Sequence, residues 1–152
     1  MGEVRAKIKL TNATDEVMAQ MSRGKRAKVR QLEIEGVIDT GAVSLILPSH
    51  VANKLGLLRM GKQVAQYADG RQDEVDVTSP VFVEVMGRRT TEEAMVLGDE
   101  VLIGQTVLEK IDLLVNSRDQ KLIPNPAHPN QPIQKVRGLS RPMSLARRGK
   151  KN

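Results

Sequence analysis

Short runs of β-prone apolar residues, separated by turn residues, restrict the fold more than any other feature of this sequence. Residues 4–10 alternate apolar and basic side chains with period two, as half-buried strands do. Asp69-Gly70 lies between two such runs and predicts a hairpin. A short helix is predicted after Pro48, because proline is tolerated in the first turn of a helix. We therefore expect residues 1–124 to form one all-β domain, mainly strands with one or two short helices, folded as a sandwich or a barrel.

Other elements follow from the same reading of apolar runs and turn residues. Residues 81–86 are predicted to pair with residues 94–97 around a turn at 87–89. Residues 11–15 predict a turn, and residues 16–21 a short connector. The predictions that complete the domain are strands at 45–47 and 101–104, helical turns at 105–110, and a hairpin of 113–115 with 122–123.

The composition excludes several kinds of site. The chain has no cysteine, which excludes disulfides, thiol nucleophiles and thiolate metal ligands. Its two histidines, His50 and His128, lie far apart in sequence, so we expect neither a metal site nor a cofactor. Tyr67 and Phe82 are the only aromatic residues, which predicts an aliphatic core and no base-stacking surface. Because no run of about 20 apolar residues and no signal peptide is evident, we expect a cytoplasmic protein without a transmembrane segment.

The charge is concentrated at the C-terminal end. Residues 125–152 contain seven basic residues and no acidic one, whereas residues 1–124 are close to neutral. Repeated prolines and few apolar residues predict that this tail is extended or disordered. A basic tail favours a weak acidic partner, either nucleic acid or a membrane surface, although a merely solubilising tail is the simpler alternative.

One carboxylate occupies a position suited to chemistry. The apolar run Val37-Ile38 ends in Asp39-Thr40-Gly41, which places Asp39 at the tip of a buried strand on a glycine turn. A carboxylate held in this way is a candidate for acid–base hydrolysis. The simpler alternative is an ordinary turn in which the aspartate caps its own backbone. Since the chain has only one such tripeptide, chemistry that needs two carboxylates requires a second chain.

The order of these parts resembles the retropepsin-like aspartic proteases, the single-lobe branch of the aspartic protease superfamily. The resemblance covers residues 4–124, and residues 47–57, with a helix after the Asp-Thr-Gly loop, look most like small bacterial members. It implies a retropepsin-like acid protease barrel with one lobe per chain. It also implies a homodimer that cleaves a peptide or protein substrate.

The resemblance also implies roles for individual residues. Asp39 matches the catalytic aspartate, Thr40 the residue that grips the partner loop, and Gly41 the sharp turn. Contacts to the substrate are implied at Ala42 and in a flap that closes over the peptide, at Tyr67, Ala68, Asp69 and Gly70. For Tyr67, packing within its own strand is the alternative.

Two positions depart from the retroviral pattern. Val43 and Gln105 stand where retroviral enzymes commonly carry an acid and an arginine that form an ion pair near the dimer interface. Both charges are absent together, which indicates a different packing rather than a damaged site. Ala42 offers no hydroxyl to the ionised carboxylates, so we expect activity at mildly acidic to neutral pH.

These observations favour an aspartic endopeptidase in which two Asp39 side chains activate a water molecule. A catalytically silent, dimeric peptide-binding or scaffold module with a docking tail is the alternative. A third possibility is a nucleic-acid binder that acts through residues 135–151, although the neutral body offers no basic groove.

Overall fold

The fold combines one large sheet, one small sheet and three short helices. A computed structural model describes residues 3–22 and 28–136. The strands are β1 (Val4–Asn12), β2 (Gln31–Ile38), β3 (Leu45–Leu47), β4 (Arg59–Gln66), β5 (Gln72–Thr78), β6 (Val81–Val85), β7 (Arg88–Glu92), β8 (Ala94–Val96), β9 (Leu102–Ile103), β10 (Leu113–Asn116) and β11 (Lys121–Pro124). The helices are α1 (Ala13–Met21), α2 (Ser49–Lys54) and α3 (Gln105–Ile111).

Nine strands form one mixed sheet in the order β4-β5-β8-β3-β9-β2-β1-β6-β7, while β10 and β11 form a separate hairpin. The prediction of a mainly β fold is confirmed. No closed barrel is found in the described part of the chain, because β4 and β7 are the outermost strands of the large sheet and do not pair with each other. The hairpins at Asp69-Gly70 and at 113–124 and the helix after Pro48 lie where the sequence predicts them.

The predicted pairing of residues 81–86 with 94–97 is wrong. β6 pairs with β7, in a register that sets Val85 opposite Arg88. The turn between them is Met86-Gly87, and both residues have positive φ, 52° and 77°. Such a turn matches the twist of a two-residue hairpin. The predicted partner, β8, instead pairs parallel with β3 and antiparallel with β5.

A helix, rather than a turn and a connector, follows the first strand. β1 continues through Asn12, whose side chain accepts a hydrogen bond from the Asp15 amide at 3.0 Å and caps α1. The Asn12 amide group also donates to the Leu55 carbonyl at 2.8 Å, which ties the start of α1 to the end of α2. The polar residues 22–26 predict an exposed loop, and from position 23 onward this loop lies outside the described residues.

The core is aliphatic, as the composition predicts. Its fully buried side chains come from strands and helices alike, and among the largest are Ile8, Leu10, Leu45, Leu47, Leu55, Ile103, Ile111 and Leu113. Neither aromatic residue belongs to this core. Phe82 is half-buried beneath the Arg89 guanidinium, at 4.4 Å from its ring centroid.

Residues 125–133, here called the C-terminal strap, form no helix or strand but are bonded to the body. The Asp112 carboxylate accepts hydrogen bonds from the Asn125 side chain at 2.9 Å and from the Ile133 amide at 3.1 Å, and it lies 2.7 Å from His128 Nδ1. The predicted domain boundary at Pro124 did not anticipate these contacts. The rest of the predicted basic tail, residues 137–152, lies outside the described residues.

Candidate functional site

Asp39 begins a loop, residues 39–44, that joins two strands separated by a third. This Asp39 loop leaves the end of β2 and returns as β3, and β9 lies between them. β9 runs parallel to β2 and antiparallel to β3. The Asp39 amide donates to the Ile103 carbonyl at 2.9 Å, so the loop starts against the end of β9. β9 therefore fixes the backbone where the loop begins.

The start of α3 holds the far half of the Asp39 loop. The Gln105 amide donates to the Ala42 carbonyl at 2.8 Å, and the Thr106 amide donates to the Val43 carbonyl at 3.0 Å. These amides belong to the first turn of a helix, where no carbonyl of the helix can accept from them. Gly104 permits the contact, since a Cβ there would overlap the backbone of Val43 and Ser44.

The Asp39 carboxylate is half-buried and hydrogen-bonded within its own turn. The Gly41 amide donates to Asp39 Oδ1 at 2.9 Å, and a Cβ on Gly41 would lie 3.2 Å from that oxygen. Asp39 Oδ2 has no hydrogen bond within the described ranges, 3–22 and 28–136. Thr40 and Gly41 are exposed beside it. This geometry fits an ordinary turn, and it equally leaves one carboxylate oxygen open to a water molecule or a partner.

The predicted flap residues occupy the tip of the β4–β5 hairpin. The Tyr67 amide donates to the Arg71 carbonyl at 2.8 Å, and the Arg71 amide donates to the Asp69 side chain at 3.0 Å. Gly70 has a φ of +87°, which glycine adopts without strain. Ala68, Asp69 and Gly70 are exposed.

Tyr67 packs within its own hairpin. The Arg71 guanidinium lies 4.6 Å from the Tyr67 ring centroid, a cation–π distance. Desolvation raises the pKa of the Tyr67 phenol, and the neighbouring Asp73 carboxylate adds to the rise. The ring therefore stays neutral and carries a hydroxyl that can donate a hydrogen bond.

The Asp39 loop and the hairpin tip are two separate clusters within one chain. Asp39, Thr40, Gly41 and Ala42 are held together in one turn, but no hydrogen bond joins them to the tip among the described residues. A cavity of about 440 Å³ is lined by Ser44 of the loop and by Gln63 of β4, but by none of the tip residues 67–70.

No protein-family model matches this chain, and no curated protein matches it. The resemblance to the retropepsin-like aspartic proteases thus stays a prediction. Within residues 3–22 and 28–136, no helix has both the length and the apolar character to cross a membrane. The same residues contain no group of three metal-ligating side chains that could hold a metal ion.

A polar cluster at the end of α3 was not predicted from the sequence. Arg88 is 7% exposed, and its guanidinium donates to the carbonyls of Ile111 at 3.0 Å, Asp112 at 2.8 Å and His128 at 3.0 Å. These carbonyls belong to the negative end of α3 and to the C-terminal strap. Arg88 and its partners lie 23 to 40 residues apart in the sequence, so no short sequence motif predicts this cluster.

Proposed function

We propose that the chain is one half of a homodimeric, retropepsin-like aspartic endopeptidase. Asp39 of each protomer supplies one carboxylate of a catalytic pair at the two-fold axis. The substrate is an extended peptide that the hairpin tip covers from the opposite side. The observation that carries this proposal is the Asp39 loop, whose single, half-buried carboxylate accepts a backbone hydrogen bond beside exposed Thr40 and Gly41.

The bracing of the Asp39 loop supports the proposal because acid–base catalysis requires a fixed carboxylate. Hydrogen bonds from Asp39 to β9 and from α3 to Ala42 and Val43 hold both ends of the loop. An ordinary surface turn needs no such support from a strand and a helix far away in sequence. The glycine at position 104, where any side chain would collide with the loop, is part of the same arrangement.

The chemistry of such a pair follows from electrostatics. Two carboxylates a few ångströms apart cannot both ionise readily, so they share one proton. The ionised member takes a proton from a water molecule held between them, and that water attacks the peptide carbonyl. The protonated member donates its proton to the oxygen on which negative charge develops. Since the proton belongs to the pair, its titration is a property of the dimer.

The exposed surface beside Asp39 supports a second chain as the partner. Val43 is 69% exposed, although it is apolar and its backbone is fixed by α3. In a homodimer of the proposed type this side chain lies next to the partner's Asp39 loop. Burial against the partner would remove this single apolar side chain from water.

Replacing Asp39 with asparagine tests the mechanism. Asn keeps the size of the side chain and the acceptor for the Gly41 amide, so the fold should be retained, while the shared proton is lost. We expect Asp39→Asn to lower cleavage of an unfolded protein by at least about a thousandfold, measured by mass spectrometry of the products. Asp99→Asn, at an exposed aspartate in another loop, is the matched control and should retain full activity.

Mixing the two chains tests whether the pair spans the dimer. If subunits exchange freely, an equal amount of Asp39→Asn chain should remove about half of the wild-type activity, because half of the wild-type chains then pair with an inactive partner. A folded Asp39→Asn protein that cleaves as fast as wild type, or a mixture without loss, contradicts the proposal.

The outer edge of the hairpin favours a second, non-catalytic candidate. β4 is the last strand of the large sheet and is exposed over most of its length, so an extended peptide could add to it as a further strand. In that case wild-type and Asp39→Asn proteins bind the same peptides, and neither cleaves them.

A further inference from the structure

A cavity of about 440 Å³ is lined by Ser44 at the end of the Asp39 loop, by Gln63 of β4, and by residues of β5, β7, β8 and α3. Its lining combines apolar side chains with polar and charged ones. The apolar part comes from Val77, Pro80, Ala94 and Met95. The cavity therefore offers both apolar and polar contacts to a ligand.

The cavity lining contains two acidic residues and one basic residue, Glu92, Glu93 and Lys110. Lys110 Nζ lies 2.9 Å from Glu92 Oε2 and donates to the Thr91 carbonyl at 3.3 Å. Glu92 is buried and also accepts a hydrogen bond from the Thr90 hydroxyl at 3.1 Å. Lys110 and Glu92 thus neutralise each other, and neither is free for a ligand.

Glu93 is the charge that remains. It lines the cavity, is exposed to solvent, and forms no ion pair with any residue in the described ranges. The lining therefore carries one net negative charge, on a side chain that can move toward a ligand. A cationic group of a ligand would complete the site.

We propose that this cavity is a side-chain subsite that receives a lysine or arginine of the peptide substrate, with Glu93 as its ionic partner. The proposal rests on the proposed endopeptidase function and adds the class of substrate. Ser44 belongs to the Asp39 loop and Gln63 to the first strand of the hairpin, so the cavity lies beside a peptide held between them.

Lysine and arginine match both parts of the lining. Their long aliphatic stems bury well against apolar walls, while their charged ends stay partly in water. Val77, Ala94 and Met95 provide such walls, and Glu93 lies at the solvent side. A purely aliphatic side chain would leave Glu93 unused, and an acidic one would be repelled.

Matched peptides test the subsite. Cleavage sites in an unfolded protein are first mapped with wild-type enzyme, and the position enriched in basic residues is then varied among lysine, norleucine and glutamate. We expect kcat/KM for lysine to exceed that for norleucine by about threefold to fivefold, the strength of an exposed ion pair. High salt should reduce the ratio. Glu93→Gln should bring it close to one, and Glu93→Lys should favour glutamate.

Controls separate this proposal from the proposed function. Glu33→Gln, at an exposed carboxylate of β2 outside the cavity, should leave the lysine preference unchanged. Cleavage without a lysine preference, or a preference that survives Glu93→Gln, overturns the subsite while the endopeptidase stands. Binding of the same peptides to the Asp39→Asn protein gives a readout without turnover. If no cleavage occurs at all, unstructured peptides that differ only in lysine or norleucine at one central position are used for binding, and equal binding of the two overturns the subsite independently.

Discussion

At the scale of single residues, Gly104 determines whether the Asp39 loop can take its observed shape. The Cβ of any other residue would overlap the backbone of Val43 and Ser44, and backbone cannot move aside as a flexible side chain can. The loop carries the candidate catalytic carboxylate, so a change at Gly104 should alter activity as well as stability.

We expect Gly104→Ala to destabilise the protein by about 2–4 kcal/mol and to abolish cleavage even where the protein remains folded. Chemical denaturation and the cleavage assay measure the two effects. Gly61→Ala is the control, because no atom lies within 4 Å of its Cβ position. A Gly104→Ala protein as stable and active as Gly61→Ala would show that the close approach has no role.

At the scale of elements, Asp112 joins α3 to the C-terminal strap. Hydrogen bonds from Asn125, the Ile133 amide and His128 hold the pKa of Asp112 below its ordinary value, against the opposing effect of desolvation. A depressed carboxyl pKa means that the stabilisation is present above the unfolded value, near 4, and is lost as the pH falls through the folded value. The strap should therefore stay docked at neutral pH and detach only in acid.

Asp112→Asn tests this link, because Asn keeps the left-handed backbone at φ +61° while removing the charge. We expect amide hydrogen exchange of residues 125–133 to become at least about tenfold faster at neutral pH. Protonation of Asp112 should move the NMR shift of the Ile133 amide in wild type as the pH falls below about 4. Asp119→Asn, in the exposed β10–β11 turn, is the control. Unchanged exchange in Asp112→Asn would assign the docking to Arg88 and to the hydrogen bond from the Asn125 amide to the residue 112 carbonyl, 3.1 Å in wild type.

Elements with a strong local signal could be predicted, and those set by distant contacts could not. The Asp69-Gly70 hairpin and α2 follow from turn and helix-end residues a few positions apart. β7 was missed because its turn places Met86 at positive φ, which a side chain other than Asn, Asp or Gly rarely adopts. For α1, the apolar residues Val17 and Met18 face solvent, so no apolar stripe marks the helix.

The candidate site also combines features that follow from local sequence with features that depend on distant contacts. The turn at Asp39, Thr40 and Gly41 could be predicted because the tripeptide follows a buried apolar run directly. The backbone support from Ile103, Gln105 and Thr106 could not be derived from spacing, since it depends on β9 entering between β2 and β3. An N-cap at Asn12 with Asp15 and Glu16 in the first turn is the signal that could have identified α1.

At the scale of the whole molecule, the proposed dimer should depend on the exposed side chain of Val43. Val43→Asp introduces a charge next to the proposed interface, on a side chain that makes little contact within its own chain. We expect dimerisation to weaken by at least about tenfold and activity at low protein concentration to fall with it, with little change in the stability of the separated chain. Sedimentation and activity, both measured against concentration, test this.

Met86→Lys is the matched control, because Met86 is also apolar and exposed, at 55%, but lies in the β6–β7 turn at the opposite edge of the sheet from β4. Met86→Lys should match wild type in its mass in solution and in its specific activity. The prediction is wrong if Val43→Asp matches wild type in both as well.

The insertion of β9 between β2 and β3 also sets the order in which the protein can mature. Val37 pairs with Leu102, so the strand that precedes Asp39 is completed by residues made much later during synthesis. Closing such a long loop is entropically costly and slows folding. A nascent chain that has not yet released residue 106 from the ribosome lacks the supports of the Asp39 loop. The Asp39 loop therefore gains its full backbone support only when nearly the whole domain has emerged.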